Sequence, residues 1–232
     1  MTYCISDIHG EYDLFMRLLE RIRYSDSDKL IVCGDMIDKG KASVRLAKTI
    51  FDMPNAYCIM GNHEHMFYRF YRSKMDSANP DFDAILGELQ QYFPEDGALL
   101  DWDTVDRLVE LPYYMDAKYY TCVHAGLPLD REGRTVSPKE AAPEVLLYDR
   151  RFHEPNVLPA NSKCVLFGHT PTVYLKKEPQ ILTYPKIGCR ADSQSILDYC
   201  KIHLDTGVSL SGVLGCFRIN DCRVFYVKKN SI

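Results

Sequence analysis

Five short apolar runs in this chain each stop at a cluster of residues that seek metal ions or phosphate. The first two are Tyr3-Cys4-Ile5-Ser6-Asp7-Ile8-His9-Gly10 and Leu30-Ile31-Val32-Cys33-Gly34-Asp35-Met36-Ile37-Asp38-Lys39-Gly40. Then come Tyr57-Cys58-Ile59-Met60-Gly61-Asn62-His63-Glu64, Thr121-Cys122-Val123-His124-Ala125-Gly126 and Cys164-Val165-Leu166-Phe167-Gly168-His169. Runs of this length and composition read as buried strands. One such ending would be a turn. Five in order predict a single site assembled from the ends of several strands.

The segments between the first three runs support that reading. Leu14, Phe15, Leu18, Leu19 and Ile22 recur at the spacing of one helix face, and Ser25 to Lys29 is a polar turn. Val44, Ala47, Ile50 and Phe51 mark a second helix, stopped by Pro54. Strand, helix, strand, helix, strand predicts an α/β fold with neighbouring parallel strands, and ligands of such sheets sit at the carboxyl ends of the strands. His65 to about Glu110 reads as mainly helical, interrupted at Pro80 and from Pro94 to Gly97. Tyr113 to Met115 and Tyr119 to Val123 predict a hairpin turning at Asp116 to Lys118. Gly126 to Ser162 is loop-rich, and the segment beyond Thr170 alternates enough to predict strands, notably Lys201 to Leu204 and Val213 to Ile219.

The composition shows no shift that would mark a linker, so residues 1–232 are expected to form a single domain. A net charge of −4 argues against a nucleic-acid binder, which would show a basic face. Nine cysteines without a CxxC pair fit a reducing compartment, and those inside the runs behave as small buried hydrophobes. The first strand begins at once, leaving no room for a signal peptide, and no apolar run approaches membrane-spanning length. The expectation is a cytoplasmic protein with no membrane or nucleic-acid partner; nothing in the sequence speaks to oligomeric state.

Asp7, His9, Asp35, Asn62, His124 and His169 offer carboxylate, imidazole and amide donors. A mixed oxygen and nitrogen set suits manganese, iron or zinc better than calcium. Six donors exceed the need of one catalytic ion and suffice for two if a carboxylate bridges. Two ions roughly 3.5–4 Å apart can hold both ends of a phosphate ester and lower the pKa of a shared water.

Asp7-x-His9-Gly10, Gly34-Asp35-x-x-Asp38-Lys39-Gly40, Gly61-Asn62-His63-Glu64, His124-Ala125-Gly126, Gly168-His169 and Asp205-Thr206-Gly207 together resemble the metal-dependent phosphoprotein phosphatases of the calcineurin-like metallophosphoesterase family. The likeness is strongest to the small bacterial and phage branch and covers Tyr3 to about Ile219. It implies two sheets in a β-sandwich flanked by helices, with a dinuclear site at the strand carboxyl ends. It further implies that Asp7 and His9 bind the first metal, that Asp35 bridges, and that Asn62, His124 and His169 complete the second. Manganese is the expected ion, with iron or zinc as alternatives.

In this resemblance His63 is the general acid, oriented by Asp38, while Arg150, Lys39 and Asn62 bind the substrate phosphate. Arg151 is the neighbouring alternative to Arg150. The implied reaction is phosphomonoester hydrolysis by in-line attack of a metal-bridging hydroxide, on phosphorylated protein or peptide side chains, mainly serine and threonine. The alternatives are a bis(5'-nucleosyl)-tetraphosphatase or other small-molecule phosphoesterase, then an inactive phosphopeptide-binding scaffold.

Two positions depart from the family pattern. Ser6 stands where glycine is usual, a mild change, and Lys39 stands where arginine is usual. A guanidinium grips two phosphate oxygens with a planar fork, whereas an ammonium is a compact point charge. Glu64 is expected to orient the site from behind the ligands. His65 is expected on a helix surface, and His153 and His203 without a role. Tyr68, Phe70, Tyr71, Tyr92 and Phe93 are expected to pack rather than to line a substrate groove. The long segments Arg72 to Leu100 and Pro128 to Ala160 are expected to overhang the site.

Overall fold

The computed structural model describes residues 1–76, 80–94, 97–160 and 163–229. The chain runs through β1 (Thr2–Ile5), α1 (Tyr12–Ile22), β2 (Lys29–Val32), α2 (Ser43–Asp52) and β3 (Ala56–Cys58). As expected, the three strands are parallel, with Cys4 opposite Ile31 and Ile31 opposite Tyr57. Helix α1 buries Leu14, Phe15, Leu18 and Ile22, the face that the spacing marked, and α2 buries Val44, Leu46, Ala47 and Ile50.

Three helices follow: α3 (Asn62–Met75), α4 (Phe82–Gln90) and α5 (Trp102–Val109). Pro80 falls just before α4, whose N-cap Asp81 accepts a hydrogen bond from the Ala84 N–H at 3.1 Å. The break expected at Pro94 to Gly97 includes residues 95 and 96, outside the described residues; likewise 77–79 and 161–162 fall within the two long segments.

The chain then builds a second sheet from β4 (Tyr114–Asp116), β5 (Tyr120–Val123), β6 (Cys164–Phe167), β7 (Leu182–Pro185) and β8 (Tyr199–His203), with α6 (Pro143–Tyr148) between β5 and β6. After α7 (Val208–Ser211), strands β9 (Val213–Arg218) and β10 (Arg223–Lys228) return to the first sheet. The orders are β10-β9-β1-β2-β3 and β4-β5-β6-β8-β7, with β5, β6 and β8 parallel. The hairpin turns later than expected: Asp116 ends β4 opposite Thr121, and its carboxylate accepts the Thr121 hydroxyl at 2.8 Å. Inside the loop-rich stretch, Pro143 opens α6 at a position where its missing N–H is harmless.

Alternation along the central strands sorts the core into layers. Tyr3, Ile5, Leu30 and Val32 face the helices, while Cys4, Ile31 and Cys33 face the second sheet. From the other side Cys122, Cys164 and Leu166 meet them, and Val123, Val165 and Phe167 turn outward under α6. The two sheets therefore share one apolar interlayer, flanked by helices. All nine cysteines are free thiols. No helix among the described residues is long and apolar enough to cross a membrane.

Candidate metal centre

Beyond their last paired residues, β1 and β2 stay zipped. The N–H of Asp7 donates to Gly34 O (3.1 Å), that of His9 to Asp35 O (2.9 Å) and that of Gly10 to Met36 O (2.7 Å). The two carboxylate-bearing loops are thus one structure. At these turns Asp7, His9, Asp35, Asp38, Lys39 and His169 all take left-handed backbone, with φ between 49° and 72°. Non-glycine residues rarely adopt that region, and such strain gathers at functional sites.

Glu64 holds this geometry. It is fully buried, and its carboxylate accepts the N–H groups of Asp35 (2.8 Å), Met36 (2.7 Å), Ile37 (3.1 Å) and Gly61 (2.9 Å). Asp35 Oδ1 in turn accepts the His63 N–H at 3.0 Å, and Asp7 Oδ2 accepts the His169 N–H at 3.0 Å, so all the strand ends are tied together. Close approach leaves no room for side chains at the turns: a Cβ on Gly61 would lie 2.2 Å from Asp35 Oδ1, and one on Gly168 2.1 Å from Asp7 Oδ2.

Asp7, Asp35 and His124 place donor atoms within 4.8 Å of one another, and so do His9, Asp35 and His63. Asp35 belongs to both groups. His124 points Nδ1 at the Cys33 carbonyl (2.9 Å), leaving Nε2 2.8 Å from Asn62 Oδ1, which also lies 2.8 Å from His169 Nδ1. With Nδ1 engaged by the carbonyl, Nε2 is turned toward the amide oxygen, an arrangement a cation would satisfy. His169 Nε2 is buried and has no hydrogen-bond partner among the described residues.

Burial pushes His9 down to about 4 and His169 down to about 3, so both rings are neutral and ligand-competent at neutral pH. Burial, together with the nearby charges of Asp7 and Glu64, raises the Asp35 carboxyl well above the usual range. Packed buried carboxylates with neutral imidazoles and an amide oxygen fit divalent ions. All six residues expected as ligands converge here.

At the rim, His63 Nδ1 lies 2.7 Å from Asp38 Oδ2, and the Asp38 N–H donates to Ser43 Oγ at 2.9 Å. Burial alone would lower His63, but the Asp38 hydrogen bond and the charge of Asp35 outweigh it and raise the ring's pKa. The same hydrogen bond holds Asp38 down to about 2. Lys39 is exposed and donates from Nζ to His9 Nε2 at 2.8 Å. Arg150 lines a cavity of about 250 Å³ together with His9, Lys39 and His169. Arg151 instead lines a different cavity beside Leu127 and Val157, which separates the two arginines.

Other side chains depart from expectation. His203 is fully buried, stacks on Phe167 with ring centroids 4.5 Å apart, and points Nε2 at the Thr170 carbonyl at 2.7 Å. It thus pins the residue that follows His169, a structural task the sequence did not disclose. His153 lies in a loop, its ring 6.3 Å from that of His203. His65 sits on the α3 surface, but its Nδ1 is 3.0 Å from the Tyr148 hydroxyl and its ring stacks on Tyr68. Phe70, Tyr71, Tyr92 and Phe93 pack against the core, as expected, while Tyr68 pairs with His65 instead. Tyr92 and Phe93 also line a small recess with Asp38 and Lys39, so part of one long segment does reach the site. The Ser6 hydroxyl hydrogen-bonds to the Asp7 carboxylate.

Sequence reasoning gave no role to Ser43 or Asp205. Asp205 is buried beside the donors, lines the same cavity as Arg150, and accepts the Gly207 N–H at 2.7 Å. It follows β8, parallel to β6, so the strand-end logic that found the ligands also reaches it.

Two sheets joined by an apolar interlayer, with buried carboxylate and imidazole donors at their parallel strand ends, define a metal-dependent phosphoesterase. The chain belongs to the calcineurin-like phosphoesterase family, whose model matches residues 2–203. Members of this family work with two divalent metals. The chain is 25% identical to a bis(5'-nucleosyl)-tetraphosphatase of the asymmetrical type from Geobacillus sp. (strain WCH70), over 92% of this chain and 88% of that protein. It is 33% identical to a symmetrical bis(5'-nucleosyl)-tetraphosphatase from Dechloromonas aromatica (strain RCB), over 54% of this chain but only 44% of that longer protein. Among solved structures, a candidate diadenosine tetraphosphatase superposes with a TM-score of 0.65 at 18% identity, over 98% of this chain and 92% of the other. A Saccharomyces cerevisiae serine/threonine phosphatase gives 0.52 at 13% identity, over 100% and 80%. These last two likenesses are of fold.

Proposed function

We propose that the protein cleaves phosphoester and phosphoanhydride bonds at a centre of two divalent ions, and that dinucleoside tetraphosphates are its substrates. The observation that carries the reading of the centre is Asp35, shared by two groups of donor atoms. Asp7 and His9 would hold one ion, Asn62, His124 and His169 the other, with Asp35 between them. The donor set suits manganese, with iron or zinc as alternatives. When bound, the ions would supply Lewis acidity and an activated water.

The chain's own residues do the rest. Arg150 and Lys39 grip phosphate oxygens and offset their charge. Asn62 offers its amide oxygen to an ion and its NH₂ to the phosphate. His63, aimed by Asp38 and with its pKa raised by that hydrogen bond, gives its proton to the leaving oxygen. The substrate reading is supported by likeness to a tetraphosphatase over nearly the full length of both proteins. It displaces the phosphoprotein expected from the motifs to second place. That second reading keeps the fold likeness to a serine/threonine phosphatase. Neither nucleic acid nor membrane is expected among the partners, and nine free thiols fit a reducing compartment such as the cytoplasm.

The test is phosphate or nucleotide release by metal-stripped protein with added manganese. Diadenosine tetraphosphate, a phosphoserine peptide and a phosphotyrosine peptide are compared side by side. Preference for the dinucleotide supports the reading. Preference for a peptide transfers the site to phosphoprotein hydrolysis, and release from none of them overturns both.

A further inference from the structure

Next to the metal centre lies a second, larger cavity of about 680 Å³, at the start of α1 and α2. Lys39 and Ser209 line both this cavity and the one above the donors, so the two adjoin. Its cations are Arg17, Lys39, Lys41, Arg45 and Lys229, and the carboxylates among the described residues that line it are Glu11 and Asp13. Glu11 is already paired with Lys229 at 2.6 Å. Arg45 is held over the Tyr12 ring at 4.0 Å, which fixes the height of its guanidinium. In a chain whose net charge is −4, this local excess of positive charge stands out. The cations come from two helices, the Lys39 loop and the residue that follows β10, so no single amphipathic face accounts for them. Both helices also begin at the cavity, and neither has a side-chain N-cap among the described residues, which adds partial positive charge.

Asp38 orients the acid, Lys39 reaches His9, and Lys41, Arg45 and Arg17 line the cavity that adjoins Lys39. A phosphate at the metal centre that carries further phosphates would have this cavity beside it. A single phosphomonoester would leave it unused.

We infer that this cavity is a subsite for the phosphates of a polyphosphate chain beyond the one being attacked, with Arg17 and Arg45 as its principal contacts. The inference rests on the phosphoesterase reading above and deepens it. The shared chemistry is a run of linked phosphates, whether inside a dinucleotide or as inorganic polyphosphate. Because the contacts are exposed charges, binding there weakens as salt is raised.

The experiment assays wild type, the Arg17→Gln/Arg45→Gln pair and the charge-keeping Arg17→Lys/Arg45→Lys pair. Diadenosine tetraphosphate and p-nitrophenyl phosphate are the substrates, and inorganic tripolyphosphate is titrated as an inhibitor of the second reaction. In the glutamine pair, the kcat/KM for the dinucleotide relative to p-nitrophenyl phosphate is expected to fall by about tenfold, from the loss of two charge-assisted contacts. Tripolyphosphate inhibition should weaken by a similar factor, and the lysine pair should restore most of both. An unchanged ratio with unchanged inhibition overturns the subsite. So does an equal loss on both substrates, which would mean damage to the centre. If the dinucleotide is not cleaved but tripolyphosphate inhibition depends on the arginines, the subsite stands for inorganic polyphosphate and the dinucleotide reading falls. If wild type cleaves neither substrate, the phosphoesterase reading fails; calorimetric binding of tripolyphosphate to the three proteins then decides the subsite alone.

Discussion

Asp35 and Lys39 are four residues apart and live in opposite kinds of structure. Asp35 is buried, its N–H fixed by Glu64 and its carboxylate within 4.8 Å of donor atoms on three histidines. Lys39 is exposed on the loop that follows, like Arg150 at the start of the loop after α6. The ligand cradle is thus made of strand ends tied to one another through backbone N–H groups, while the cations around it stand on segments with few such ties. A metal site must hold its donors to fractions of an ångström, which requires a locked backbone. A phosphate needs charge within reach, which a loop can supply and alter without disturbing the cradle. Chemistry and preference for substrate are therefore carried by separable parts of the molecule.

The comparison is tested most severely at His63, which belongs to the rim by position and to the chemistry by role. His63→Asn should lower kcat by about 10²–10⁴ on a phosphoserine peptide, whose alkoxide leaving group needs a proton. The loss should be much smaller on diadenosine tetraphosphate, where the leaving phosphate is already stable as an anion. Metal content measured by elemental analysis should stay at wild-type level. Loss of metal together with activity would place His63 in the cradle instead.

Glu64 tests the cradle itself. Glu64→Gln replaces a buried carboxylate that accepts four N–H bonds with an amide that presents one acceptor oxygen. Each stranded donor costs about 1–3 kcal/mol, and metal affinity should fall about 10–100-fold, the usual effect of losing a group that orients ligands. Thermal melting with and without manganese reads both effects. A variant with unchanged affinity would show that the left-handed turns hold without this residue.

How much was legible in the sequence follows the same division. The cradle was readable because strand-ending clusters repeat, and because metal donors must be particular residue types at particular turns. The parallel strands and the α1 face were readable because apolar period and length are local signals. Arg150 and Arg151 were not separable, since which neighbour faces a cavity depends on how the end of α6 is set against β6. Strand β10 lies in the segment beyond Thr170 where strands were expected, but it was not singled out although Val224 to Val227 is an apolar run, and its place at the sheet edge beside β9 is set only by tertiary pairing. His203 was missed for a related reason: in a buried strand its ring reads as packing, and only tertiary structure reveals Thr170 opposite.

Two smaller effects refine the contrast at the rim. Arg150→Ala should raise KM about tenfold through the lost charge-assisted contact, and Arg151→Ala should stay within twofold, read from initial rates on one substrate. Equal effects would mean that the two cavities do not separate these side chains. Asp38 adds a pH-dependent term in metal-free protein. Its folded pKa is depressed to about 2 by the His63 hydrogen bond, so its stabilising contribution is present above the unfolded value near 4 and is lost as pH falls toward 2. Its side chain is 35% exposed, so solvent screening reduces the contribution to about 1 kcal/mol. Urea midpoints of wild type and Asp38→Asn should differ at pH 6 and converge by pH 2–3; a constant gap would mean that the His63 contact is not its source.

A modest gain should come from Lys39→Arg, and it speaks most directly to whether the rim can be altered while the cradle stays fixed. The ammonium reaches His9 Nε2 from a residue whose own backbone is left-handed. A guanidinium there would be longer and planar, able to donate two parallel N–H bonds to phosphate oxygens. The turn that presents it is set by the Asp38 N–H donating to Ser43 Oγ and the Gly40 N–H donating to Asp38 O, neither of which uses the Lys39 side chain. We therefore expect KM to fall and kcat/KM to rise by about 2–5-fold, the worth of one added charge-assisted hydrogen bond in a solvated site. Metal affinity should not move. A rise in kcat/KM at constant metal affinity would show the rim tuned alone. A change in metal affinity, read by competition with a chelator, would mean that Lys39 belongs to the cradle through His9, and that the boundary between the two regions falls after residue 39 and not before it.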